Sequence, residues 1–276
     1  MKILIIGNGY LGNRCLEAWS DAVMWVERIN SVTDVESALD EHEPDVVLNA
    51  AGVVGKPNVD WCETHQTATI WGNSVLPMLI AEACQKNNTY LLHVGTGCIF
   101  YGYSKDKLGW KESDFANPVA VYTKTKYTAD LALSTLPNVG IARIRMPIDN
   151  RSHPGNLINK LASYSKIVDV TNSVTIVPDM IITFRALLER RATGIFHCTN
   201  PGAIKHKEIL EIYTKIVDPN HSNTWITEEE LVTLGLANKK RSNNILQSTN
   251  LEALGITMRP VKEALEDCLL KYKQNL

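Results

Sequence analysis

Short, dense apolar runs recur through the first half of the chain, with helix-like segments between them. Lys2–Ile6, Ala22–Val26, Asp45–Asn49, Tyr90–Val94 and Ile141–Arg145 are too short for core helices, and all but the last, which carries Arg143 and Arg145, are too continuously apolar for half-exposed strands. They predict strands buried on both faces. Between them, apolar residues return at helical spacing. Leu11, Cys15, Leu16 and Trp19 mark a helix over Tyr10–Ser20, and Val35, Ala38 and Leu39 mark one over Asp34–His42. Thr67–Gln85 and Val121–Leu136 read as two more. Strands alternating with helices predict a parallel sheet covered on both faces.

The rhythm loosens after Pro147. Asn150–Asn156 reads as a loop, Asn159–Ser165 as a short helix, and Val174–Val177 and Ile195–Cys198 as strands flanking a helix over Met180–Arg191. Lys205–Val217, Glu228–Leu236 and Pro260–Lys273 are helical segments. The expected fold class is α/β, a Rossmann-type doubly wound parallel sheet with a smaller, mostly helical lobe. Residues 1–146 and 174–198 would form the nucleotide-binding domain, and 147–173 and 199–276 the substrate-binding lobe.

Composition narrows the function classes. A net charge of -2 over 276 residues gives no electrostatic footprint for nucleic acid, and Lys239-Lys240-Arg241 is too short to supply one. That cluster reads equally as a solvated loop or an anion contact. The six cysteines are scattered without a CxxC pair, which argues against zinc and against a disulfide framework. The expected compartment is reducing and cytoplasmic. No apolar stretch reaches membrane-spanning length, and Met1-Lys2 leads straight into the first strand with no secretory signal.

Gly7-Asn8-Gly9-Tyr10-Leu11-Gly12 follows the first strand and opens the first helix. In that context GxGxxG is a dinucleotide cradle: glycines let the backbone approach a pyrophosphate, and the helix start offers free N–H groups. After the second strand come Glu27 and Arg28. A carboxylate there would favour NADH, and a guanidinium could hold the 2′-phosphate of NADPH. NADPH is the expected cofactor, with NADH as the alternative. Asn49-Ala50-Ala51-Gly52 ends the third strand in small residues, leaving room for a cofactor.

Tyr122 and Lys126 are four apart on one helical face. A nearby ammonium favours the phenolate, so the pair is expected to lower the phenol's pKa toward the working range and deliver a proton to a carbonyl oxygen. Thr96 and Cys98 follow the fourth strand, and residues two apart on an extended path point the same way. Thr96 could bond the carbonyl oxygen. Cys98 could exchange protons, or be a small buried hydrophobe, as free cysteines commonly are.

Together these motifs resemble the extended short-chain dehydrogenase/reductases. Further blocks bring the likeness closer: Asn49–Glu63, Gly97-Cys98-Ile99-Phe100, Tyr122–Lys126, Arg145-Met146-Pro147-Ile148, Thr199–Gly202 and Arg241–Asn244. With these the chain resembles, over nearly its whole length, the nucleotide-rhamnose synthase/epimerase-reductases of plants and giant viruses, relatives of bacterial dTDP-4-dehydrorhamnose reductase.

The resemblance implies conversion of UDP-4-keto-6-deoxyglucose to UDP-L-rhamnose, by epimerisation at C3 and C5 and reduction at C4. It implies Tyr122 as proton donor with Lys126 and Thr96, Cys98 as an epimerisation residue, and Lys160 as a second acid/base, with His153 as its competitor. Pro147 would join the cofactor site. Asn58, Trp61, Asn156, Arg241 and Asn244 would contact substrate. A separate 4,6-dehydratase would supply the keto sugar, and a homodimer is expected.

The chain departs from the family in two places. Its glycine loop is one residue shorter than the common GxxGxxG, and the loop from Cys98 to Asp114 is compact. Two other readings stay open, a 4-keto-sugar reductase without epimerase activity and a non-catalytic NADP-binding regulatory subunit.

Overall fold

The computed structural model describes residues 1–56, 58–237 and 241–276, so Lys239 and Lys240 of the basic cluster lie outside the described residues. The elements alternate from the start: β1 (Ile3–Ile6), α1 (Tyr10–Ala18), β2 (Ala22–Trp25), α2 (Val32–His42) and β3 (Val46–Asn49). Then come α3 (Trp61–Thr64), α4 (Gln66–Ile70), a π-helical turn (Trp71–Val75), α5 (Leu76–Lys86), β4 (Tyr90–Thr96), a 3-10 turn (Gly97–Ile99), α6 (Val121–Leu133) and β5 (Val139–Ile144). The remainder is β6 (Pro147–Ile148), α7 (Leu157–Ser163), β7 (Lys166–Val168), β8 (Thr171–Asn172), β9 (Thr175–Ile176), α8 (Val177–Arg190) and β10 (Gly194–His197). It ends with β11 (Ile204–Lys205), α9 (His206–Ile216), β12 (Thr224–Ile226), α10 (Glu228–Thr233), α11 (Thr249–Ala253) and α12 (Val261–Gln274).

Six strands form the main sheet in the order β10-β5-β4-β3-β1-β2. The β1–β2, β1–β3 and β3–β4 pairs are parallel. Every residue of β1, β3 and β4 is buried, as their unbroken apolar runs require. Chain direction across the sheet reverses between β1 and β3, and in such sheets ligands bind beyond the strands' carboxyl ends at that switch point. The glycine loop leaves β1 there, and Asn49–Gly52 leaves β3 beside it.

Two local departures from the predicted elements have clear causes. α2 begins two residues before the predicted Asp34 because Ser31 caps it. The Ser31 side chain accepts from Asp34 N at 3.3 Å, and the Asp34 carboxylate accepts from Ser31 N at 2.9 Å. The expected helix over Thr67–Gln85 is interrupted by the π turn. Pro77 has no N–H to give the carbonyl four residues back, which loosens the ladder there. The widened turn carries Asn73, whose amide bonds Val53 N at 2.8 Å and Val53 O at 2.9 Å.

Contacts divide the chain into two compact units, residues 1–99, 118–143 and 183–196 in the first, and 100–117, 144–182 and 197–276 in the second. The first packs Leu4, Val47, Ile80, Leu91, Ala129 and Ile141 into one core. The second has its own, around Ile148, Ile158, Ile176, Ile209, Leu265 and Leu269. The second also takes in 100–117 and 174–182, which the sequence reading assigned to the nucleotide-binding domain, and so nearly matches the first in length. Phe100 explains the first transfer: its ring stacks on Trp110 at 4.8 Å, and its carbonyl accepts from Asn244 at 2.7 Å and Ser242 at 2.6 Å. Among the described residues no helix is long and apolar enough to cross a membrane.

Candidate active site

The glycine loop has a distinct reason for each glycine. Gly7 has φ +120°, and a Cβ there would lie 2.4 Å from Ala51 N. A Cβ on Gly12 would lie 2.0 Å from Gly7 O, so only glycine lets α1 start this close to β1. A Cβ on Gly9 would meet nothing within 4 Å. The open backbone at Gly9 is the face a phosphate would approach, and α1 has no side-chain cap on its first turn. Asn8, exposed, accepts from Asn13 Nδ2 at 3.0 Å, which holds the loop over the helix start. The cradle therefore fits a dinucleotide. Arg28 is exposed just past β2.

The reacting groups converge in the first unit. β4 delivers Thr96, and the 3-10 turn after it delivers Cys98. The turn is held by Thr96 Oγ1, which accepts from Cys98 N at 3.2 Å. Tyr122 sits in the first turn of α6. Burial pushes the phenol's pKa up, the Cys98 thiol adds to the rise, and Thr96 opposes it. Tyr122 is thus held protonated, as an acid about to donate must be. The expectation that Lys126 lowers this pKa is not met. Lys126 turns inward, where Nζ donates to Val94 O at 2.7 Å and lies 3.2 Å from His93 Nε2. Burial lowers the Lys126 pKa to about 8, against an opposing pull from Asp130. Cys98 is a half-buried free thiol, whereas Cys15, Cys62, Cys84, Cys198 and Cys268 are buried.

α6 is located by contacts from afar. Glu63 Oε1 accepts from Val121 N at 2.8 Å, capping the helix start that carries Tyr122. From the π turn, Ser74 Oγ donates to Thr125 O at 2.8 Å and Asn73 Nδ2 to Thr125 Oγ1 at 3.3 Å. Beneath Lys126, Asp130 pairs with buried Arg143 at 2.8 Å. His93, Asn73 and Asp130 are not among the residues the sequence singles out, and Glu63 enters there only as the end of the Asn49–Glu63 block, with no role. One signal was available for two of them: a histidine inside the apolar run Tyr90–Val94, and an aspartate one helical turn beyond Lys126.

Other predicted residues of the first unit lie nearby in sequence. Asn58 Oδ1 accepts from Asp60 N at 2.8 Å in a local turn. Trp61 stacks on His65 with ring centroids 3.8 Å apart.

The second unit holds the rest. Lys160 is in the last turn of α7, and burial lowers its pKa. His153 is lowered too, first by burial and then by the Lys160 charge, with Asp149 opposing. These two bases are therefore close enough to sense one another. Asn156 caps α7: its oxygen accepts from Ile158 N at 3.1 Å and Asp149 N at 3.2 Å, and its amide donates to the carbonyls of Asp149 and Arg151, both at 2.9 Å. Asn244 is buried and donates to Phe100 O. Both amides shape backbone. Arg241 lies half-buried in the neighbouring loop, and Pro147 follows Met146, whose φ of +44° is unusual for a non-glycine residue. Among the described residues no group of acidic, histidine or cysteine side chains is arranged for a metal.

Comparison with known proteins agrees with this architecture. The chain matches the RmlD substrate binding domain family over residues 1–274. It belongs to that family. A bifunctional dTDP-4-dehydrorhamnose 3,5-epimerase/dTDP-4-dehydrorhamnose reductase of Arabidopsis thaliana is 38% identical over 245 residues, covering 87% of this chain and 79% of the plant protein. A trifunctional UDP-glucose 4,6-dehydratase/UDP-4-keto-6-deoxy-D-glucose 3,5-epimerase/UDP-4-keto-L-rhamnose-reductase of the same plant is 35% identical over 89% of this chain, but the match spans only 36% of that longer protein. The crystal structure of a UDP-rhamnose synthase from Acanthamoeba polyphaga mimivirus superposes with TM-score 0.91 at 31% identity, covering 98% of this chain and 99% of the viral one. The RmlD family membership and that superposition agree with the Rossmann-type α/β fold expected from the sequence.

Proposed function

We propose that this chain is a bifunctional 3,5-epimerase/4-reductase that converts UDP-4-keto-6-deoxyglucose to UDP-L-rhamnose with NADPH. The observation that carries the reading is the short segment from Thr96 to Cys98: Thr96 Oγ1 accepts from Cys98 N at 3.2 Å, and both side chains act on the Tyr122 phenol, the threonine lowering its pKa and the cysteine raising it. Reduction needs the protonated phenol, and epimerisation needs an additional proton-exchanging group beside it. Relatives named for both activities support the pairing.

Gly7–Gly12, Arg28, Asn49–Gly52 and Pro147 would hold the cofactor, with Tyr122 and Lys126 beside its reactive end. When bound, the nicotinamide supplies hydride for the C4 carbon. The C4 ketone acidifies the hydrogens at C3 and C5. Hydrogen bonds from Tyr122 and Thr96 to its oxygen stabilise the enolate that forms when a proton leaves. Cys98 exchanges a proton at one carbon. Lys160 is the second base, with His153 its competitor; both have depressed pKa values and so present a lone pair more readily. In reduction, Tyr122 gives its proton to the C4 oxygen. Asn58, Trp61 and Arg241 would contact the nucleotide sugar, while Asn156 and Asn244 would hold the loops around it. A 4,6-dehydratase reaction, named in the trifunctional plant relative, must supply the keto sugar.

The test is NADPH oxidation by the purified chain with UDP-4-keto-6-deoxyglucose, with NMR identification of the product sugar. Tyr122→Phe should lower reduction by about 10²–10⁴-fold with the fold intact. Cys98→Ala should abolish solvent-deuterium incorporation at C3 and C5 yet still reduce an already epimerised ketone. Equal loss of both would refute the separate epimerase role.

A further inference from the structure

A three-residue hydrogen-bonded chain runs through the buried end of the sheet behind Tyr122. Asn49, His93 and Lys126 are all buried, the first two completely. Asn49 Oδ1 accepts from Ala51 N at 3.0 Å, which fixes the amide's orientation. Its Nδ2 therefore faces His93 Nδ1, 3.0 Å away. An amide nitrogen only donates, so Nδ1 must accept, and a neutral imidazole then carries its hydrogen on Nε2. Nε2 points at Lys126 Nζ, 3.2 Å away. An ammonium has donors and no lone pair, so an Nε2–H opposite an ammonium leaves two donors face to face. A neutral amine resolves the conflict: it accepts from Nε2–H and still donates to Val94 O at 2.7 Å. Protonating the imidazole gives no escape, because burial and the neighbouring lysine hold its pKa well below the usual histidine value.

We propose that His93, its tautomer fixed by Asn49, is a positioning residue that sets the proton count of Lys126 by favouring the amine over the ammonium. The charged and titratable groups around this face are His93 on β4, Tyr122 and Asp130 on α6, Cys98 on the 3-10 turn, Cys62 on α3, and Arg143 on β5 behind Asp130. Asp130 acts in the opposite sense, stabilising the ammonium. The lysine is thus poised between two neighbours, and burial already brings it to about 8. In the reaction proposed above, on which this consequence rests, Lys126 stands with Tyr122 beside the cofactor's reactive end, and the site loses that positive charge when the ammonium becomes an amine. Reduction should then fall on the alkaline side as Lys126 becomes neutral.

The experiment uses the full chain and two readouts. Long-range proton–nitrogen NMR of the imidazoles, with His93 assigned by its loss in His93→Gln, should give an Nε2–H tautomer that stays neutral well below the ordinary histidine range. Asn49→Asp replaces the donor by an isosteric acceptor and should move the hydrogen to Nδ1. An Nδ1–H ring in the unaltered chain, or no change of tautomer in Asn49→Asp, overturns the proposal. Lysine side-chain carbon NMR, with Lys126 assigned by its loss in Lys126→Arg, should show its titration moving up by roughly one unit in His93→Gln, where a carbonyl oxygen can face the ammonium. The alkaline limb of NADPH-linked reduction should move with it. A fixed lysine titration overturns the proposal. A shifted titration with no keto-sugar reduction by the unaltered chain leaves the proton-count assignment standing and removes the proposed function instead.

Discussion

The two units solve the same problem, burying backbone, by different means. In the first, β1, β3 and β4 place their N–H and C=O groups in a parallel ladder, and their side chains are almost wholly apolar. The exceptions, Asn49, His93 and Thr96, lie toward the carboxyl ends of strands, where the chemistry is. In the second, strands are two or three residues long, too short to satisfy the backbone by pairing. Buried polar side chains take over. Arg145 reaches the side chains of Asn172 and Ser242 and the Ser242 carbonyl. Glu112 accepts from His197 N at 3.2 Å, Asn250 N at 3.3 Å and Thr249 Oγ1 at 2.6 Å. Asn200 accepts from Ile176 N at 2.8 Å and donates to Asp179 Oδ2 at 2.9 Å and Arg259 O at 3.0 Å. A polar residue on these three strands therefore points to function, whereas in the second unit a buried polar residue is ordinary scaffolding.

The sharpest break in that comparison would come from Arg145. Arg145→Ala removes a buried guanidinium that bonds Asn172 and Ser242, leaves a cavity, and should cost about 3 kcal/mol or more in urea unfolding. An apolar truncation in the first unit's sheet, Ile5→Val, should cost only about 1 kcal/mol. Near-equal costs would show that the polar network contributes no more than a methylene does.

This difference also decides what could be seen in the sequence. The strands of the first unit, the glycine loop and the Tyr122–Lys126 pair are local patterns, readable from periodicity and spacing. The second unit's long helices were readable for the same reason. Its short strands were not, because a two-residue strand has no period. Site residues were missed where their contacts are remote: His93 meets Lys126 across 33 positions, Asn73 meets Thr125 across 52, and Glu63 meets Val121 across 58. Spacing put Lys126 one helical turn from Tyr122, but could not say that Nζ turns to Val94 and His93. Asn156 and Asn244 stood out as motif residues, yet their amides serve the backbone.

Two of the buried histidines, His93 in the first unit and His206 in the second, sharpen the comparison at smaller scale. His93 accepts from Asn49 on Nδ1, whereas His206 Nδ1 faces Val168 O at 2.9 Å and so carries the hydrogen, leaving Nε2 without a partner. Burial lowers both pKa values, aided by Lys126 for His93 and by Arg145 for His206. The unfolded chain then binds protons that the folded chain refuses. Stability is complete above the unfolded value, and falls as pH drops below it toward the folded one. Each ring should contribute a loss of up to about 1.4 kcal/mol per pH unit below roughly 6.5. Thermal melts between pH 7 and 5 should show a shallower decline in His93→Gln and in His206→Gln. An unchanged slope in either variant would mean that ring is already protonated in the fold.

The smallest effect tests whether the first unit's stabilising contacts and its chemistry can be separated. Glu63 holds no place in the proposed chemistry, but it caps α6 at Val121, one residue before Tyr122. The cap supplies an acceptor for one of the helix's free N–H groups and a negative charge at the positive end of its dipole. Glu63→Ala should cost about 1 kcal/mol, whereas Glu63→Gln keeps an acceptor and should lose only about half of that. If the cap also aims the phenol, kcat should fall several-fold in Glu63→Ala with little change in KM, and should largely return in Glu63→Gln. A stability loss with unaltered kcat would mean that the cap does not aim Tyr122, and that the first turn of α6 tolerates displacement without misdirecting the proton.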